Sequence, residues 1–507
     1  MSGRDEIQAV LHSGRLRLAV IAIAALGMLA SSPPSAGPDE PAHLSTAWYD
    51  TARIIPRATQ VFPGSGEISE VEVPAILDLQ PCYIQPVRDA GCIPDRASLG
   101  TLVQPHQVTT YAPFYYWVVG IGERVVAAIA GPQYADLGGR VASMLLCLLV
   151  LLVPVLLLAR RRPSLPSAVL LATTPMCAFV WGVVNPSGLE IAGAAGLAIA
   201  LAIHVLPGDD GTTSTPSRRD LATIGLAAFV VAAARPIGWL WVVVLAGASI
   251  LILWASRKPF REVVRAGVPV AVAISPAVGF GLLWSALHPA GVTGVIATDG
   301  SIAGITMAEW AQAIVMGIPW RAWQLFGWFG WLDTPTSWAL VLLLGTGWIT
   351  MGLQALGTRR RKLAGALAAV GAIVVIPSVM EFAALPSLGG SWWQGRYTLP
   401  AVVGLLLLVV TPLTVRRITA LEALATLNTA ALAAGVAVNY FRYAYGARGP
   451  MEILANLGAP APSPFRTLVT IACVAALAVI TLLWGSLLLQ DWVEARKGKP
   501  ARRSSAT

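Results

Sequence analysis

Charged residues are scarce in this chain, 12% of 507 residues, where a soluble protein carries about 25%. That deficit excludes an ordinary soluble enzyme. Histidine and cysteine are rare as well, five of each. The sequence has no phosphate loop, no His-Glu-x-x-His pair, no CxxC pair, and no polar stretch large enough to fold as a cytosolic nucleotide-binding domain. A nucleotide cofactor, or a nucleotide-sugar donor on the inside, is therefore not expected. The net charge of +9 does not indicate nucleic acid, because the basic residues fall in short clusters between apolar runs. They read as topology signals.

What is abundant is apolar sequence, 56% of the chain. It comes in runs of roughly 17 to 25 residues, the length a bilayer core demands. Runs of that length exclude a closed barrel. The fold class expected is an all-α integral membrane protein with about twelve transmembrane helices. The expected spans are 18–30, 141–158, 168–184, 191–206, 221–234, 237–255, 268–287, 337–356, 364–384, 398–415, 419–438 and 468–489. With both termini inside, the basic clusters at Arg160–Arg162, Arg218–Arg219, Arg257–Arg261, Arg359–Lys362 and Arg416–Arg417 all fall on the inner face. The chain then divides into a cytoplasmic N-terminus (1–17), one polytopic domain (18–490) and a basic cytoplasmic tail (491–507). Its outer loops are 32–138, 288–336, 385–397 and 439–466. Residues 18–30, followed by Ser35-Ala36-Gly37, also suit a signal peptide. The further spans and the acidic motif directly beyond favour a retained helix.

The long first outer loop ends in an apolar stretch, 114–130, interrupted by Glu123-Arg124. Two charges near the middle of a span are costly, so this stretch is expected to lie in the interface with both charges solvated. Cys82 and Cys92 lie in the same loop. On an oxidising face they suit a disulfide closing a small ring, with two free thiols as the alternative; no nearby ligand spacing suggests zinc. Cys147, Cys177 and Cys473 lie in apolar runs and read as small core residues. Eighteen tryptophans suit interfacial belts, or stacking on sugar rings where they concentrate in outer segments.

Under this topology the outer face collects Asp39, Glu40, His43, Asn185, Glu190, Arg235, Asp333, Glu381, Gln394 and Arg396 from helix ends far apart in sequence. Polar groups at outer helix ends, with no internal repeat, favour a site at the membrane surface over a midplane transport site. Asp39 and Glu40 suit a general base, a ligand for a divalent cation such as Mg or Mn, or a helix cap beside Pro41. His43 lies one turn on, facing the same cavity or simply satisfied in the interface. Arg396 and Arg235 suit phosphate binding, or snorkelling and helix termination. Asn185 suits a role in the site or a helix cap. A donor already in the membrane, with an apolar tail and a phosphate head, fits such a surface; a polyprenyl-phosphate sugar is one.

Four separated motifs occur in order: Pro38-Asp39-Glu40-Pro41-Ala42-His43, Asn185-Pro186-Ser187-Gly188-Leu189, Phe326-Gly327-Trp328 through Trp331-Leu332-Asp333-Thr334, and Gln394-Gly395-Arg396-Tyr397. Together they resemble a family of bacterial predicted membrane proteins classed as a domain of unknown function. The resemblance runs from about residue 15 to about 490. That family in turn looks like the GT-C glycosyltransferases in architecture and motif position, an analogy between folds. The resemblance implies a GT-C-like fold, Asp39 as catalytic base, and Glu40 as its partner or a metal ligand. Arg396 and Arg235 would contact the donor phosphate, with His43, Asn185, Asp333, Gln394 and Tyr397 beside the substrate. The expected activity is transfer of a sugar from a polyprenyl-phosphate donor to an envelope glycan or lipid, at the outer face of the bacterial plasma membrane. The alternative is a non-enzymatic transporter or assembly protein for lipid-linked sugars.

Overall fold

A computed structural model describes residues 14–54, 61–62, 70–84, 88–105, 108–159, 162–206, 216–288, 306–388, 393–412, 418–446, 451–452 and 463–496. Most of the N-terminus, Arg160, Arg161, Trp392, Arg416, Arg417 and most of the basic tail lie outside the described residues. The fold is an all-α multi-pass bundle. Among the described residues, nine helices are long and apolar enough to cross a membrane, or ten if a bent pair counts as one span.

The first of these, α1 (Gly14–Ser31), leads through a short loop to α2 (Glu40–Ile54). A small antiparallel sheet follows: β1 (Val61–Phe62), β2 (Glu70–Pro74) and β3 (Thr101–Pro105), in that order. The all-α reading misses this sheet. Its signal is a brief alternation in β2, where Val71 and Val73 are buried and Glu72 pairs across with Val103. Trp48 ties α2 to the sheet through its indole N–H on the Glu72 carbonyl, 3.1 Å.

Helix α3 (Phe114–Ala130) turns back at Gly131, whose φ of 103° suits glycine, into α4 (Ala135–Ala159). The two helices pack antiparallel, with the Tyr115 hydroxyl 2.8 Å from that of Ser143. Phe114, Val118, Ile121, Val125 and Ile129 form an exposed apolar stripe. The opposite stripe, Tyr116, Val119 and Glu123, is buried. This corrects the expectation of a solvated charge pair. Glu123 faces inward, where burial pushes its carboxyl well up against the pull of Arg124. Arg124 reaches back to the Trp48 carbonyl at 2.7 Å and Thr51 Oγ1 at 2.9 Å.

The expected span 168–184 is two short helices, α5 (Leu165–Ala172) and α6 (Pro175–Gly182), bent by 81°. Pro175 opens α6, and Thr174 caps it through Oγ1 on the Cys177 amide. The break frees carbonyls, which cannot stay bare in an apolar interior. Asn428 Nδ2 donates to two of them, Leu170 and Thr173. Helix α7 (Ser187–His204), rich in Gly and Ala, is buried along nearly its whole length and forms the centre of the bundle.

Then come α8 (Arg218–Ala234), α9 (Gly238–Ala255), α10 (Phe260–Leu287), α11 (Met307–Met316), α12 (Ile318–Gly327) and a two-strand ribbon, β4 (Trp328–Phe329) with β5 (Thr334–Pro335). The chain continues with α13 (Trp338–Leu356), α14 (Arg359–Val370), a π-helical turn, α15 (Ile376–Leu388), α16 (Leu399–Val410), α17 (Ile418–Tyr445) and α18 (Pro464–Arg496). Two of the twelve expected spans are shorter helices. α8 has 17 residues, and its first three are Arg218, Arg219 and Asp220. α16 has 12 residues.

Ends alternate between two faces. Ser31, Gly182, Ser187, Ala234 and Gly238 lie toward Asp39. On the opposite face His204 meets Asp220 at 3.3 Å, and Arg361 meets Ser256 at 2.7 Å.

Close helix packing rests on glycine. A Cβ on Gly138 would overlap the Gly122 carbonyl across the α3–α4 contact, whereas one on Gly247 in α9 meets nothing within 4 Å. Gly138→Val should therefore cost about 1–3 kcal/mol and lower the unfolding temperature in detergent. Gly247→Ala should change stability by less than about 0.5 kcal/mol. Equal behaviour of the two variants would contradict this packing.

Candidate functional site

The site is built on the loop from Ser32 to Pro38 and the start of α2. Ser35 (φ 63°) and Asp39 (φ 59°) both adopt the left-handed conformation. This conformation costs an ordinary side chain about 1–2 kcal/mol, and Asp tolerates it better than most. The loop keeps this shape because its carbonyls are held from outside. Arg140 donates to Ser32 O (2.8 Å) and Pro33 O (2.6 Å). The Tyr83 hydroxyl donates to Pro34 O at 2.7 Å, and Trp331 Nε1 to Ser35 O at 3.0 Å. Asn185 Nδ2 donates to Pro38 O at 3.0 Å, while its Oδ1 accepts from the Ser187 amide.

The two adjacent acids have different surroundings. Glu40 is fully buried. Its carboxylate accepts from Arg140 Nε (2.8 Å) and Nη2 (2.7 Å), from the Val184 amide (2.9 Å) and from the Gly37 amide (2.9 Å). Four donors match the acceptor capacity of a carboxylate, so this geometry uses Glu40 as a brace and leaves no oxygen lone pair for a metal. The Asp39 side chain is 53% exposed. Its Oδ2 lies 3.1 Å from Arg396 Nη2.

Arg396 sits in a 3₁₀ turn, Gly395–Tyr397, just before α16. It is buried, and its Nε and Nη1 have no hydrogen-bond partner among the described residues. Arg235, at the end of α8, donates to Ser187 Oγ (3.1 Å) and to the Tyr111 hydroxyl (3.3 Å). It lies 3.7 Å from Glu190 and stacks over the Tyr397 ring at 4.3 Å. Its Nε also lacks a partner among the described residues. His43 Nδ1 is 2.9 Å from the Tyr116 hydroxyl. Burial pushes the imidazole down to about 4; Asp39 opposes the shift, and Arg235 and Arg396 add to it. That all three act on one ring reflects their convergence.

Two expected residues stand apart. Asp333 pairs with Arg442 at 2.6 Å, where burial raises its carboxyl against the arginine's pull. That pair belongs to a cluster with Tyr83 and Tyr443, across the Pro34–Ala36 loop. Gln394 is half-buried and its Oε1 lacks a partner among the described residues. The neighbouring Gly395 amide is instead bonded by Gln324. Cys82 and Cys92 form a disulfide, and Cys147, Cys177 and Cys473 are free and buried.

A family model for predicted membrane proteins of unknown function, DUF2142, matches residues 23–405. The chain belongs to the DUF2142 family. No curated protein and no solved structure matches it. The stretch shared with DUF2142 contains Asp39, Glu40, His43, Asn185, Arg235, Asp333 and Arg396, whereas Arg442 lies beyond it.

Sequence reasoning missed several partners in this DUF2142 site. Arg140 stands at the edge of an apolar run, and its charge there was the available signal. Tyr111 and Tyr116 stand in the aromatic stretch before α3. Trp331 stands in the third motif, which did not indicate its bond to Ser35 O, and Gln324 carried no local signal of its role. The donors around Asp39 suit an anion: two guanidiniums, phenols and a serine hydroxyl. Among the described residues no group of three or more His, Cys, Asp or Glu could hold a metal ion.

Glu40→Gln should leave Arg140 buried without its counter-charge and cost about 3–5 kcal/mol. Asp39→Asn keeps a residue that accepts the left-handed backbone and should change stability by less than about 1 kcal/mol. Denaturation in detergent reads both, and a mild Glu40→Gln effect would remove the brace from this account. For His43, the unfolded chain takes up a proton near pH 6.5 that the folded chain refuses until about 4. Stability is thus full above pH 6.5 and declines by up to about 3 kcal/mol as pH falls toward 4. His43→Gln should flatten that slope; an unchanged slope would assign it to another group.

Proposed function

We propose that this protein is a glycosyltransferase. It transfers a sugar from a polyprenyl-phosphate donor to an envelope glycan or lipid at the outer face of the bacterial plasma membrane, with both termini cytoplasmic. The reading rests on one observation: the accessible Asp39 carboxylate pairs with the buried Arg396, which shares the Tyr397 ring with the buried Arg235, and both guanidiniums keep N–H groups without a partner among the described residues.

An acceptor hydroxyl attacks the anomeric carbon, and its proton passes to Asp39. The bond from that carbon to the phosphate oxygen breaks, and the electron pair leaves on polyprenyl phosphate. Arg235 and Arg396 stabilise the charge that develops there. Neutral His43 and the phenols of Tyr111 and Tyr116 shape the pocket without adding positive charge. Attack opposite the leaving group inverts the sugar. The likeness to GT-C enzymes, which rests on motif order and position, supports the donor class. The basic clusters at helix ends away from Asp39 support the outward orientation.

Turnover in nanodiscs tests the reading, with polyprenyl-phosphate sugars and envelope acceptors supplied and release of polyprenyl phosphate followed by mass spectrometry. Asp39→Asn should slow release by about 10²–10⁴-fold. Undiminished release by Asp39→Asn would remove the base. Donor binding without release by folded wild type would shift the reading to transport or assembly.

A further inference from the structure

The face opposite Asp39 carries a second feature that the transfer reaction does not use. The end of α9, where the chain turns into α10, meets the start of α14 there. Between them is a cavity of about 390 Å³. Its polar lining is Ser256, Arg257, Thr358, Arg359, Arg360 and Arg361, with no acid among the lining residues. Arg361 is committed to the wall, with Nε on Ser256 Oγ at 2.7 Å. Arg257, Arg359 and Arg360 are exposed. Arg257 is held by a left-handed backbone, φ 59°. Its neighbour Lys258 is paired with Glu262 at 3.6 Å, outside the cavity lining.

Around these charges the same helix ends expose large apolar side chains: Trp254 at 61%, Phe260 at 76% and Leu363 at 61%. A pocket of guanidiniums and hydroxyls with an apolar rim, at the end of membrane spans, matches a ligand with a phosphate head and acyl chains. A topology signal alone requires only basic residues near the span ends. It does not require four arginines around one cavity without a counter-charge.

We infer that this cavity binds the headgroup of an anionic phospholipid, with the phosphate among Arg257, Arg359 and Arg360 and the acyl chains along Trp254, Phe260 and Leu363. The site is independent of the glycosyltransferase reading, since it lies on the other face and uses none of the same residues.

The test uses the full-length protein in nanodiscs of mixed phosphatidylglycerol and phosphatidylcholine. Native mass spectrometry reads the lipids retained after release. Wild type should retain phosphatidylglycerol enriched over the nanodisc ratio. A triple variant, Arg257→Gln with Arg359→Gln and Arg360→Gln, should lose that enrichment, at about fivefold in affinity for each charge. The lysine versions of the same substitutions should keep a large part of it, which separates lost charge from lost fold. Thermal unfolding with inorganic phosphate distinguishes the source of the anion. Phosphatidylglycerol should stabilise wild type where phosphate and phosphatidylcholine do not. Retention at the nanodisc ratio in wild type, equal enrichment in the glutamine variant, or equal stabilisation by inorganic phosphate would each overturn the inference.

Discussion

The buried ion pair between Glu40 and Arg140 is the contact on which the face around Asp39 depends. Taking two charges out of water is costly, and the attraction repays that cost only where the remaining donors and acceptors are satisfied. Here they are. Glu40 also holds the Val184 and Gly37 amides, and Arg140 also holds the Ser32 and Pro33 carbonyls. One pair therefore joins the loop after α1, the body of α4 and the end of the broken α5–α6 span. Because Glu40 turns inward, its neighbour turns outward, and Asp39 is left half exposed beside Arg396.

The fold was largely legible in the sequence because membrane-spanning helices announce themselves by run length. Among the described residues each of the twelve apolar stretches is mainly helical, although 168–184 breaks into α5 and α6 and α8 and α16 are shorter than full spans. Local chemistry was harder to read. Asp39 and Glu40 carry the same kind of group at adjacent positions, and only tertiary partners separate them. Glu123 looked solvated because charge on an apolar helix usually is, yet it stands on the inward stripe with Tyr116 and Val119. Arg396, Arg235 and His43 were found together because each closes or opens a helix on one face, which topology alone anticipates. Asp333 shares that face but is turned to Arg442 by the β4–β5 ribbon, and no spacing rule carries that direction. The sheet between α2 and α3 is hard to read from sequence because its strands are only two to five residues long.

The two faces hold positive charge in different ways. Around Asp39 the arginines are buried, stacked on Tyr397 and held by hydroxyls, an arrangement with little freedom left to lose on binding. In the cavity on the opposite face Arg257, Arg359 and Arg360 are exposed, and Arg361 is fixed to a neighbouring helix. The first arrangement suits recognition of one phosphate in one orientation, as a displacement at the adjoining carbon requires. The second suits a headgroup held loosely at the membrane surface.

The central claim is that Arg235 and Arg396 form a phosphate site facing Asp39. Calorimetric binding of a short isoprenyl monophosphate tests it most directly, comparing wild type, Arg235→Gln with Arg396→Gln, and the uncharged isoprenol. The account predicts binding of the phosphate, little binding of the alcohol, and a loss of about tenfold to a hundredfold for each arginine removed. Equal binding of phosphate and alcohol, or undiminished phosphate binding by the double variant, would contradict it.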